Sequence, residues 1–168
     1  MKIIKLIIIA SAGLASWACT PSNAGFISLV NSDVVELKFF VDGRPFSILP
    51  SNHITKEFAP GNHKVKIGDK DEVSLMVSPK MTTVFDSTGL SCFAVADFTE
   101  RSSGGPVRIK ELFQHQRVFS PQERITVILG SFLPQKAPND GKVTRIQQID
   151  CDDVQDIPAL EALLANAK

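Results

Sequence analysis

Three histidines, three cysteines and a knot of aspartates are the residues of this 168-residue chain through which chemistry can run. His53 and His63 stand ten residues apart on what read as neighbouring strands, which lets a fold bring them together. A zinc site would add Cys, Asp or Glu ligands at one of the recognised spacings, and none of those spacings occurs, so the histidines read as turn or surface residues. Asp150, Asp152, Asp153 and Asp156 surround Cys151 and offer the hard oxygens that Ca²⁺ prefers. They lack the turn glycine and bidentate glutamate of an EF-hand loop, and the favoured reading is a solvated turn whose Asp156 caps a helix. Ser102-Ser103-Gly104-Gly105 has the composition of an anion-binding loop without its Lys-Ser/Thr ending or a following helix. No Gly-x-Ser-x-Gly elbow is present. Cys92 with His115 would make a thiol nucleophile and its base, and Asp97 or Glu100 beside the Gly-rich loop would be the carboxylates of an enzyme. No catalytic, metal-binding or cofactor-binding residue is assigned.

The third cysteine, Cys19, ends a leader. Lys2 and Lys5 form a positive n-region, Leu6-Ile7-Ile8-Ile9-Ala10 and the small residues through Ala15 form the apolar stretch, and Ala18 precedes a cut. The run is short for a bilayer core of about 30 Å, so residues 1–18 read as a signal peptide rather than a permanent anchor. Leu14-Ala15-Ser16-Trp17-Ala18-Cys19 resembles the lipobox of bacterial lipoprotein precursors. It departs from the family at Ser16, where Leu is usual, and at the bulky Trp17. The resemblance implies a diacylated Cys19 that ties the mature protein to a membrane. Thr20, where Asp would favour the inner membrane, implies the periplasmic face of the outer membrane. Cleavage after Ser16-Trp17-Ala18 or Ser22-Asn23-Ala24 would instead release a soluble periplasmic or secreted form. Residues 19–25 then read as a tether of small and turn residues.

An odd cysteine count in an exported protein needs an explanation. Lipidation of Cys19, or its loss by cleavage at Ala24, leaves Cys92 and Cys151 as a pair that an oxidising compartment would join. The alternative is two unrelated buried thiols.

Composition narrows the partners. The chain carries 18 basic and 18 acidic residues; without Lys2 and Lys5 the basic count falls to 16, a charge of −2. No strong field favours nucleic acid, and no nucleic-acid partner is expected. Eleven Phe against one Trp and no Tyr suit a core better than a surface of stacking platforms.

After the leader, about 150 residues suffice for one domain. Short alternating strands recur between turns every eight to twelve residues: Phe26–Val30, Val34–Val41 ending at Asp42-Gly43, Arg44–Leu49, His53–Phe58, His63–Ile67, Val73–Val77, Met81–Phe85, Leu90–Phe98, Val107–Lys110, Ile125–Phe132 and Val143–Ile149. Pro45 sends its strand to an edge or a start. Leu112–Phe119 suits a short helix or a strand. Pro134, Pro138 and Asn139-Asp140-Gly141 mark an exposed loop from Leu133 to Lys142. Asp156, Pro158 and the Ala/Leu run behind them predict a terminal helix over 157–166, with Leu160, Leu163 and Leu164 on one face. The expected fold is mainly β: a single β-sandwich-like domain over 26–168 with a short C-terminal helix.

Phe40-Val41-Asp42-Gly43, Pro50 and Ala59-Pro60-Gly61-Asn62-His63-Lys64-Val65-Lys66-Ile67 resemble the PEGA domain, a small β module of bacterial envelope and surface proteins. The likeness spans about residues 39–79 and lacks the tetrapeptide that names the family; 26–80 would then be a PEGA-like half and 81–156 a second half. It implies a non-catalytic module that presents surface or binds glycan or protein. The expected function is therefore a non-catalytic cell-envelope lipoprotein, held to the membrane through Cys19, that binds or scaffolds an envelope protein or glycan. The alternatives are an enzyme acting on envelope polymers and a soluble secreted inhibitor or effector using the 134–142 loop.

Overall fold

The computed structural model describes residues 23–70, 72–100, 104–122 and 144–166. Residues 1–22, which include the expected leader and Cys19, as well as Ser102-Ser103, the Ile125–Phe132 segment and the expected loop over 133–142, lie outside the described residues. The described chain is mainly β, sandwich-like, with one short helix at its C-terminal end.

The strands are β1 (Gly25–Asn31), β2 (Leu37–Val41), β3 (Arg44–Ile48), β4 (Asn52–Phe58), β5 (Gly61–Ile67), β6 (Val73–Val77), β7 (Thr82–Asp86), β8 (Cys92–Asp97), β9 (Arg108–Gln114), β10 (Val118–Phe119) and β11 (Thr144–Ile149). A 3₁₀ turn over Asp152–Gln155 leads into helix α1 (Ile157–Asn166). They form three sheets, in the orders β3-β2-β5-β6, β10-β7-β1-β4 and β11-β8-β9.

The middle sheet is clamped between the other two, and the alternation of its strands shows why. Ile27 and Leu29 of β1 and Phe85 of β7 join Phe39, Val41, Val65, Ile67, Leu75 and Val77 in one core. Val30 and Val84, on the opposite face, join Phe93, Val95, Phe119 and Ile146 in a second. Side chains that alternate across a strand cover both faces when both are packed. The aromatic rings do the filling expected of them: Phe39 meets Phe85 edge-on at 6.2 Å, and Phe119 lies between Phe93 at 5.1 Å and Phe113 at 4.4 Å.

β1 is the axis of this arrangement. It pairs antiparallel with β4 on one side and parallel with β7 on the other. A parallel partner requires a long crossover, supplied here by the chain between residues 32 and 81 that builds the first sheet. β7 thus belongs to the same sheet as β1 and β4, so residues 26–80 and the chain after them share the middle layer.

Local details follow the residue types. Asp42 (φ 48°) and Gly43 (φ 78°) make the left-handed two-residue turn between β2 and β3. Pro45 sits on β3, an edge strand. Leu112–Phe119 resolves in favour of strands β9 and β10, because Phe113 and Phe119 stack under the second core. Asp156 caps α1, its Oδ1 accepting from the Ala159 N–H at 3.0 Å. Leu160 and Leu164 pack with Ala96, Phe98 and Val107 on the outer side of β8. Leu163 departs from the expected helix face and is 57% exposed, since the docked stripe is narrow and follows the i, i+4 row. Among the described residues no helix is long and apolar enough to cross a membrane.

Candidate functional site

Strand direction builds one pole of the molecule. β8 is the centre of the third sheet, and its neighbours β9 and β11 both run antiparallel to it. The residues that follow β9 and β11 therefore arrive where β8 begins. Cys92 opens β8, His115 follows β9, and Cys151 follows β11. A disulfide joins Cys92 to Cys151 across 59 residues of sequence, with Cα atoms 5.2 Å apart. One ring nitrogen of His115 lies within 4.8 Å of both sulfurs. His115 is held there by its N–H donating to Ser91 O at 3.1 Å and its Nδ1 paired with Leu90 O at 2.9 Å. Its backbone takes a left-handed φ of 52°. Cys92 is fully buried, Cys151 half-buried and His115 exposed. The disulfide consumes the thiol that a Cys92–His115 nucleophile would need.

His53 and His63 do not share this pole. His63 closes a different contact: its Nδ1 lies 2.6 Å from Asp42 Oδ2 and its Nε2 lies 2.7 Å from Ala59 O. Both nitrogens face acceptors, and only the doubly protonated ring can donate to both. Burial opposes that charge, yet hydrogen bonds to Asp42 and Ala59 outweigh it and raise the pKa above the usual imidazole value. Asp42 also accepts the Lys64 N–H at 2.9 Å. That bond, with His63 behind it, holds the carboxyl below its ordinary range against the opposing effect of burial. The Asp-Gly hairpin and the Pro-Gly-Asn-His turn, far apart in sequence, are tied to each other by this pair. The pairing left no signal at the level of spacing, because it depends on β2 lying beside β5.

The outer face of the first sheet carries a third grouping. Phe40 of β2 points away from the core and is half-buried. The Lys38 and Lys66 ammonium groups lie over its ring, 5.5 and 5.1 Å from the centroid. Register places Ser47 opposite Lys38, and Pro45 and Lys66 opposite Phe40 on its two sides. Lys64 and Glu72 pair at 2.8 Å farther along this face, and Met76 beyond them is 57% exposed. The result is an open, cationic strip with an aromatic centre. It went unread in the sequence because Lys38, Phe40 and Lys66 register as ordinary strand alternation.

The remaining candidates are placed in structural roles. Asp97 accepts from the Thr99 N–H at 2.9 Å and pairs with Lys110 at 3.4 Å. Burial pushes its carboxyl up, but the Thr99 bonds and the Lys110 ammonium outweigh that and keep its pKa below the ordinary value. A carboxylate so held is a poor proton donor near neutral pH. Glu100 O accepts from the Gly105 N–H at 2.8 Å. Asp150, Asp152, Asp153 and Asp156 are all exposed; Asp150 Oδ1 accepts from the Asp152 N–H at 3.1 Å in a local turn ahead of the 3₁₀ segment.

No protein-family model matches the chain, and no curated protein matches it. Among solved structures, the N-terminal domain of AlgF from P. aeruginosa is similar: 16% identical, covering 54% of this chain and 95% of that one, with a TM-score of 0.37. A likeness of that size carries no argument about function, which rests on the residues of this chain.

Proposed function

We propose that the protein is a non-catalytic component of a bacterial cell envelope that binds an acidic envelope partner, glycan or protein, on the outer face of the β3-β2-β5-β6 sheet. The observation that carries this reading is the cationic strip of Lys38 and Lys66 over Phe40. Ammonium groups recognise carboxylates and other anions, and the Phe40 ring gathers two of them side by side on this face. The leader, the lipobox-like Cys19 and the short tether support a mature form held to the periplasmic face of the outer membrane by lipid. The PEGA-like character of residues 39–79 points the same way, since that segment contains the strip.

Two measurements test the proposal. Intact mass of the mature protein reports the cleavage point and the lipid together; a mass beginning at Gly25 sinks the anchored form. Co-sedimentation with isolated cell wall, alongside pull-down from envelope extract, tests the strip. Lys38→Ala/Lys66→Ala should lose at least tenfold in retention while keeping the native circular dichroism. Equal retention of variant and parent, or no retention of either, overturns the binding reading.

A further inference from the structure

The pole that holds the disulfide has the parts of a second site. Two sulfurs and one imidazole converge from three adjacent strand ends, and the three candidate donor atoms already lie within 4.8 Å of one another. A tetrahedral Zn²⁺ with bonds of about 2.3 Å to sulfur and 2.0–2.1 Å to nitrogen would need its donors roughly 3.5–3.8 Å apart. The Cα atoms of Cys92 and Cys151, 5.2 Å apart, allow the sulfurs to separate by side-chain rotation once their bond is broken. The backbone supplies the rest of the placement: sheet pairing fixes Cys92 between Gln114 and Ile149, the residues just before His115 and two before Cys151. Cys92 is buried, Cys151 partly so, and His115 is exposed, so the group has one open side for an ion to enter and for water to complete four-coordination.

We infer that the reduced protein holds a thiophilic d¹⁰ cation, of which Zn²⁺ is the probe, on Cys92, Cys151 and His115, and that the oxidised protein does not. The chemistry balances in two steps. A dithiol reductant gives two electrons and two protons to the Cys92–Cys151 bond and leaves as its own disulfide. Zn²⁺ then replaces the two thiol protons, which pass to solvent, and the neutral imidazole of His115 adds as the third protein ligand. The same pole is thereby either a covalent crosslink or a metal centre, according to the redox state.

The test uses the full chain with Cys19→Ser, so that only two thiols remain. A phosphine reduces the disulfide, taking oxygen from water to become the phosphine oxide and leaving two thiols. Zn²⁺ is titrated against a chromophoric chelator, and Co²⁺ is added in parallel for its spectrum. The reduced chain should bind one Zn²⁺ at least 100-fold more tightly than the oxidised chain, and Co²⁺ should show thiolate-to-metal charge transfer. His115→Ala should weaken binding at least tenfold. Equal affinity in oxidised and reduced chains, or unchanged affinity in His115→Ala, overturns the proposal. If reduction alone unfolds the chain, Zn²⁺ must restore the β circular dichroism signal; failure to do so overturns it as well.

Discussion

Replacing both Cys92 and Cys151 with Ala should cost this protein more than any single change to its surface. The crosslink spans 59 residues of sequence, so it closes a loop of about 60 in the unfolded chain. Chain-entropy arithmetic for that length gives about −14 cal/mol/K, or about 4 kcal/mol at 25 °C. For a domain of this size each kcal/mol moves the melting midpoint by roughly 3 °C, giving a fall of about 12 °C. Cys92 is fully buried, so trimming its sulfur adds a small packing loss to the same sign. The assay is thermal unfolding by circular dichroism, under non-reducing conditions, of parent and double variant, with a third melt of the parent after phosphine treatment. The reduced parent and the non-reduced variant should agree within a few degrees, and both should lie well below the oxidised parent. A variant that melts within about 3 °C of the oxidised parent refutes the reasoning. It would mean either that the unfolded chain is already confined near this pole or that the crosslink strains the native sheet by as much as it gains.

The pair of Asp42 and His63 should make stability depend on pH in a defined direction. His63 has its pKa raised above 6.5 on folding, so its contribution is complete below 6.5 and is lost as pH climbs through the folded value. Asp42 is depressed below 3.8, so its contribution is present above that value and is lost as pH falls further. Melting midpoints should therefore be highest between about 4 and 6.5 and decline toward pH 8, and His63→Gln should flatten the decline; a parent whose midpoint rises from pH 6 to 8 contradicts the pairing. Asn31 is fully buried, and its Nδ2 donates at 2.8 Å to both Val35 O and Ile48 O. Asn31→Ala should cost about 2 kcal/mol by stranding those carbonyls, and Asn31→Asp should cost more by facing them with another acceptor, as read from urea denaturation. Phe85→Ala should cost about 3–5 kcal/mol in the same assay, because its ring is fully buried against Phe39.

Much of the fold was legible because strand alternation and turn chemistry are local. The alternating stretch His63–Ile67 is a strand that buries Val65 and Ile67, and Asp42-Gly43 and Pro45 mark the turn and edge they were expected to mark. The disulfide followed from counting cysteines under the expectation of export, a constraint that needs no geometry. The parallel pairing of β1 with β7 was not legible, because no local pattern links Phe26–Val30 to Thr82–Asp86. For the same reason buried polar residues in those strands, such as Ser28, Thr82 and Asp86, look like solvent-facing positions until the third layer covers them, and Asn31 does so until the first sheet closes over it. His115 was weighed beside Cys92 only as the base of a nucleophile, and His63 beside Asp42 was missed, because antiparallel register, not spacing, brings these groups together. The Lys38–Phe40–Lys66 strip was hidden similarly, being two strands of ordinary alternation until β2 and β5 align.

The place of β1 in the middle sheet also dictates an order of events during synthesis. It is the first of the described strands to be made, yet its partners are residues 52–58 and 82–86. At about 5–20 residues per second, the stretch from residue 31 to residue 86 takes roughly 3–10 s to appear. The β2–β3 hairpin can close within microseconds of being made. Until residue 58 is made the apolar segment Phe26–Val30 has no partner on either edge, and its β7 edge stays open until residue 86. It is the stretch most exposed to misassociation, and the natural handle for a holding chaperone. A circular permutant that delivered β7 before β1 would shorten that wait, and its yield on expression would measure how much the native order of strands costs.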